Sequence, residues 1–141
     1  MPMIDIVAPE GTFPEANEAA LLERATQALL RWEKTAAIPY AVANTGAYLH
    51  VLPQARATAG GKPDRTVRVQ ILTPVGALNQ EQRAGIVADV TAVVAEAAGD
   101  PGLRERTWVL LHEAVDGGWG IGGVAYTNSA LTARVIASLK R

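Results

Sequence analysis

Met1-Pro2-Met3-Ile4-Asp5-Ile6-Val7-Ala8-Pro9-Glu10-Gly11 decides the fold, because its pattern returns 65 residues later. Ile4, Ile6, Pro9 and Gly11 fall on Val69, Ile71, Pro74 and Gly76, and Leu21, Leu22, Ala25 and Thr26 fall on Ile86, Val87, Val90 and Thr91. Alternation puts Ile4 and Ile6 on one strand face and Met3, Asp5 and Val7 on the other. Pro9-Glu10-Gly11 breaks the strand. Thr12-Phe13-Pro14-Glu15 then predicts a capping box for a helix running to about Lys34, with Leu21, Leu22, Ala25, Leu29 and Trp32 on its apolar stripe. Ala47–Leu52 predicts a second strand, while Thr35–Thr45 reads as irregular and Gln54–Asp64 as rich in turns.

From Arg65 the order repeats. Val67–Leu72 predicts a strand, and Asn79-Gln80-Glu81-Gln82 caps a helix carrying Ile86, Val87, Val90, Val93, Val94 and Ala97. Thr107–Leu111 predicts the fourth strand. Each half is a β-α-β unit whose two strands lie parallel through a right-handed crossover. The expectation is an α/β fold in which tandem β-α-β units form a four-stranded sheet with two helices on one face. It is one domain over 1–141, with repeat one at about 2–61, repeat two at about 65–123 and a short helix at about 128–140. The opposite sheet face carries Asp5, Arg68 and Gln70 among apolar residues, which predicts association with other subunits.

Composition narrows the function classes. The 141 residues are 49% hydrophobic with a net charge of -1, giving no electrostatic case for nucleic acid or an anionic membrane. The absence of cysteine removes disulfides, thiolate metal sites and cysteine nucleophiles. The two histidines, His50 and His112, share no helical face, and neither Ser129 nor Ser138 sits in a nucleophile elbow. With no signal-peptide pattern and no apolar run of spanning length, the expected location is the cytoplasm. Gly118-x-Gly120-x-x-Gly123 matches a dinucleotide fingerprint by letter but opens no β-α-β unit, so it reads as a turn. No cofactor and no metal are expected.

The residue with distinctive chemistry is Pro2. Methionine is ordinarily trimmed before a small residue, and a chain beginning at Pro2 carries a secondary amine fixed in a ring at a strand end. Such an amine acts as base, nucleophile or, once protonated, acid. An α-amino group titrates near ~8 in water, and an apolar pocket would lower that value by disfavouring the cation. If Met1 stays attached, Pro2 is an amide and only starts an edge strand, where proline is tolerated.

An amino-terminal proline on a strand, a duplicated β-α-β unit and a glycine-aromatic-glycine turn together resemble the tautomerase superfamily. Pro2-Met3, His50-Val51-Leu52-Pro53 and Gly60-Gly61 are similar to its macrophage migration inhibitory factor group. Glu10-Gly11 and Trp119-Gly120-Ile121-Gly122-Gly123 are similar to its 4-oxalocrotonate tautomerase group. Thr107-Trp108-Val109 running to Glu113 is similar to its cis-3-chloroacrylic acid dehalogenase group. The resemblance implies a homotrimer in which Pro2, at a pocket near a subunit boundary, shuttles a proton on a small carbonyl or enol substrate. It also leaves open hydratase, dehalogenase, decarboxylase or iminium chemistry, and a non-catalytic binding or assembly protein on the same scaffold.

Departures from the resemblance shape the site expectations. Thr12, Pro74 and Ala77 stand where relatives place arginines that grip substrate carboxylates. The implied substrate is therefore aromatic or apolar, with at most one carboxylate, and Lys34 or Arg68 is the candidate cation for it. Tyr48 and Asn44 are candidate donors to a carbonyl, and Trp108 and Trp119 are candidate pocket walls.

Overall fold

The computed structural model describes residues 1–141. Strand β1 (Met3–Pro9) leads through α1 (Glu15–Glu33) and a short α2 (Pro39–Ala43) to β2 (Gly46–Leu52). A small hairpin, β3 (Thr58–Ala59) and β4 (Lys62–Pro63), links this unit to β5 (Val67–Pro74), α3 (Gln80–Ala98) and β6 (Thr107–Ala114). A second hairpin, β7 (Trp119–Ile121) and β8 (Val124–Tyr126), precedes α4 (Asn128–Ser138). The main sheet has the order β2-β1-β5-β6. Strands are parallel within each unit and antiparallel where β1 meets β5. Helices α1 and α3 are both 19 residues long and start 65 positions apart, so the duplication holds in structure as in sequence.

The repeats differ at their helix starts. Asn79 and Gln82 form the expected capping box, with Gln82 N–H donating to Asn79 Oδ1 at 2.8 Å and Asn79 N–H to Gln82 Oε1 at 2.9 Å. The box expected at Thr12–Glu15 does not form. Pro14 occupies the cap position without a side-chain bond, while the buried Thr12 hydroxyl donates to the Pro9 carbonyl at 2.7 Å. The helix ends match again: Lys34 and Gly99 both close their helices in the left-handed region, at φ 60° and 64°. Lys34 is the one non-glycine residue with positive φ.

The inner sheet face and the two helices share one core. Ile4, Ile6, Val69 and Ile71 meet Leu21, Leu29, Ile86 and Val90 there, all fully buried. Each such side chain contributes on the order of 1.5–3 kcal/mol. The outer face is uncovered in a single chain: Trp108 is 42% and Leu110 43% exposed there on β6, and Tyr48 is exposed on β2 at the opposite edge. Trp108 is thus no core residue of the isolated chain; its ring lies 5.7 Å from the Arg106 guanidinium. Asp5 on this face bonds to His50 at 2.7 Å, not to Arg68; His50 sits on the neighbouring strand two residues past Tyr48, the register partner of Asp5, and so on the same face.

The stretch Thr35–Thr45, expected to be irregular, holds α2, which starts with Pro39 in its first turn. The glycine-rich turn becomes the β7–β8 hairpin, closed at Gly122 and Gly123 with φ 60° and 80°. No helix is long and apolar enough to cross a membrane.

Candidate active site at the amino terminus

A second, smaller apolar cluster gathers at the start of β1. Met1, Ala41 of α2, Trp119 of β7 and Leu131 of α4 form its buried centre, with Ile38, Tyr40, Tyr126 and Val135 packed around them. Three elements outside the main sheet therefore converge on the amino terminus. Pro2 is buried, and its carbonyl accepts the Gly46 N–H at 3.2 Å, which fixes the ring at the strand end.

Beside this cluster lies a cavity of about 360 Å³, lined by Met1, Glu33, the Pro74–Ala77 turn and one face of α4. None of its lining residues is a lysine or arginine. Pro74 and Ala77, the positions noted for lacking arginine, thus face this cavity. Thr12 does not; it lies beyond Pro9, at the far end of β1.

Glu33 is the one carboxylate at the site. Its side chain is 5% exposed, and its Oε2 accepts from the Met1 ammonium at 2.8 Å and from the Thr35 hydroxyl at 3.4 Å. Sequence reading passed over Glu33, although a signal existed. It stands four residues after Leu29 and three after Leu30, on the buried stripe of α1, where an acid demands a partner.

The structure sorts the other candidates by position. Trp119 reaches the amino terminus through the apolar cluster. Tyr48 leans back along its strand, since a Cβ placed on Gly46 would stand 3.1 Å from its ring and 2.9 Å from Met3 Sδ. Asn44 follows α2, where its amide donates to the Tyr40 carbonyl at 2.8 Å. Lys34 adjoins Glu33 but is exposed at the helix end. Arg68 and Trp108 pair with each other in register and, through Arg68, with Val7. They lie about 17 Å along the sheet from Pro2, at ~3.4 Å per residue, so one chain does not bring them to its own amino terminus.

Arg134 on α4 lies at the rim of the cluster, its guanidinium 5.7 Å from the Tyr40 ring. Its pKa is raised above the ordinary arginine value, first by its hydrogen bond to Tyr40 and then by Tyr126 and Tyr40 as nearby charges. No group of three histidine, aspartate or glutamate side chains converges to hold a metal ion.

The chain is thus a duplicated β-α-β unit with Pro2 buried behind Met1, beside a cavity. Residues 66–128 match the family model described as tautomerase enzyme. No curated protein matches the chain. Among solved structures, a fused 4-OT described as a symmetric trimer is 16% identical, with a TM-score of 0.77 over 92% of this chain and 98% of that one. Pt0534, solved after inactivation by 2-oxo-3-pentynoate, is 22% identical with a TM-score of 0.77 over the same shares, 92% and 98%. Macrophage migration inhibitory factor from Toxoplasma gondii is 17% identical, with a TM-score of 0.71 over 88% of this chain and 99% of that one. At these identities the solved structures establish the fold. The tautomerase resemblance is therefore shown by sequence across the second repeat and by fold across nearly the whole chain.

Proposed function

We propose that the chain is a tautomerase-type enzyme in which Pro2, freed by removal of Met1, acts as acid and base on a small carbonyl or enol compound. The observation that carries this reading is the burial of the amino terminus. The chain invests α2, α4 and a hairpin, all outside the four-stranded sheet and its two long helices, in enclosing Met1 beside a cavity. The strand that Pro2 starts is an inner one, paired on both sides, and not the edge strand expected if Pro2 is an amide. A proline that merely began a strand would need no such enclosure. Removing Met1 would add its volume to the cavity and open the start of β1 toward the residues that now enclose Met1, Trp119, Leu131 and Glu33 among them.

The active unit in this reading is a homotrimer. The fused 4-OT neighbours are described as trimers, and the uncovered sheet face carries Tyr48, Trp108 and Leu110 for a partner to bury. A neighbouring chain would also be the means by which Arg68 or Trp108 reaches a Pro2 pocket.

One observation favours a second reading, a binding or assembly protein with Pro2 silent. With Met1 in place the amine is paired to Glu33, the methionine side chain is 4% exposed, and the Pro2 nitrogen is an amide. Intact mass of the purified protein separates the two. Loss of one methionine is expected, together with enol–keto turnover that falls ~10²–10⁴-fold in Pro2→Ala with the fold unchanged. Retained Met1, or unchanged turnover in the variant, favours the binding protein.

A further inference from the structure

Glu33 introduces a charge that the apolar reading of the pocket leaves out. Its carboxylate is nearly sealed from water, and beyond the Thr35 hydroxyl its partner is the ammonium of the amino terminus. Two bonds of the Met1 backbone and the peptide bond separate the Met1 nitrogen from that of Pro2, a gap of about 3 Å. When Met1 is absent, the carboxylate would lose its ammonium partner, and the Pro2 amine, about 3 Å from the vacated nitrogen position, would be placed to replace it. A buried carboxylate without a cation is strongly disfavoured, so the amine is drawn into the protonated state to replace the lost one.

We propose that Glu33 is a positioning and specificity-determining residue: it holds the mature Pro2 amine as its counter-ion and turns carboxylate-bearing compounds away, so that the site takes uncharged carbonyl or enol compounds. This rests on the proposed function of Pro2 and narrows its substrate class. It also reverses the expected titration, since an anion beside the amine favours the cation that an apolar wall alone would disfavour. While the amine is protonated the pair is neutral as a whole. Once the amine gives up its proton to react, Glu33 is left uncompensated, and an entering carboxylate would then meet it as a like charge, with no lysine or arginine in the cavity lining to offset it.

The surrounding elements supply little competing charge. The Pro74–Ala77 turn is apolar, and α4 presents Asn128, Leu131, Thr132 and Val135 to the cavity. Tyr40 from α2 and Tyr126 from β8 edge the apolar cluster, Arg134 is turned to Tyr40, and Lys34 is exposed.

The test compares two electrophiles of equal reach, the anionic 2-oxo-3-pentynoate and the uncharged pent-3-yn-2-one, on the wild type and Glu33→Gln. In both, the amine lone pair bonds to the alkyne β-carbon, the displaced π pair takes up a proton at the α-carbon, and nitrogen loses its proton. The product is protein plus one intact reagent, read by mass and located at the amino terminus by peptide mapping. Each rate is divided by that of free prolinamide to remove intrinsic reactivity.

The wild type is expected to favour the uncharged reagent at least ~10-fold, a preference that falls toward unity in Glu33→Gln. The midpoint of the labelling rate against pH should drop by about 1–3 pH units in the variant. A wild-type preference for the keto acid, or a midpoint unmoved by Glu33→Gln, overturns the role of Glu33 while leaving Pro2 as the reactive amine. Labelling at Pro2 by neither reagent overturns the Pro2 reading itself. Glu33→Asp, which keeps the charge, should retain the wild-type order of preference, and losing it would likewise count against the proposal.

Discussion

Gly85 on α3 faces the Trp32 ring of α1 so closely that a Cβ added there would stand 2.0 Å from ring carbon Cζ2. The ring is held in that slot by its indole N–H, which donates to Asp89 Oδ2 at 2.8 Å, while Gln82 donates to the Trp32 carbonyl at 2.6 Å. The two repeats are thus locked through one glycine. In an exposed helix interior, Gly→Ala would gain about 1 kcal/mol in propensity. Here the clash should dominate.

Gly85→Ala is accordingly expected to destabilise the protein by about 1–3 kcal/mol, the usual cost of overpacking. Chemical denaturation gives the value. Combined with Trp32→Ala, the second substitution should cost much less than it does alone, because the ring it strikes is gone. Strict additivity of the two would contradict the contact.

Lys34 is the second case, where a residue type and its backbone disagree. Repeat two has Gly99 at the equivalent left-handed cap, while repeat one spends a lysine there, at a strain of about 1 kcal/mol. Lys34→Gly should leave stability unchanged or raise it by up to ~1 kcal/mol, measured as a rise in the denaturation midpoint. If turnover falls in this well-folded variant, the lysine itself serves the substrate; if it does not, Lys34 is only the helix end.

Assembly through the open sheet face predicts that Leu110→Asp disrupts it. An aspartate at the centre of an apolar interface loses its hydration without gaining a partner. The wild type should sediment at about three times the 14.8 kDa chain mass and the variant as smaller species. A wild type that is monomeric at all concentrations would refute the trimer.

One ion pair gives a signed pH dependence. Arg24 on α1 bonds to Glu96 on α3, and that hydrogen bond, with the arginine's charge second, holds the Glu96 carboxyl below its ordinary value of 4.5. A depressed acid contributes stability above its unfolded pKa and loses it as pH falls through the folded one. The stability gap between wild type and Arg24→Ala should therefore be present at pH 7, close below pH 4.5, and narrow in high salt because the pair is exposed. A gap that widens in acid would rule the pair out as its source.

The sequence by itself determined the duplicated architecture. Strand alternation around Ile4 and Val69, helix stripes around Leu29 and Val90, and the turn residues between them are all local patterns, and burial of one face turns them directly into a sheet under two helices. The capping box at Asn79–Gln82 was legible for the same reason, as was the chemical singularity of Pro2. The tertiary structure alone decided what surrounds that proline. Met1, Glu33, Ala41, Trp119 and Leu131 come from five separate parts of the chain, and no local periodicity reports that they meet. It also decided that Arg68 and Trp108 lie far along the sheet from Pro2, because strand register, not sequence distance, sets which side chains are neighbours. Glu33 was hidden by the most ordinary of appearances, an acid near a helix end. Its pairing with the amino terminus is a contact 32 residues apart in sequence, made where little water reaches and a charge must find its partner.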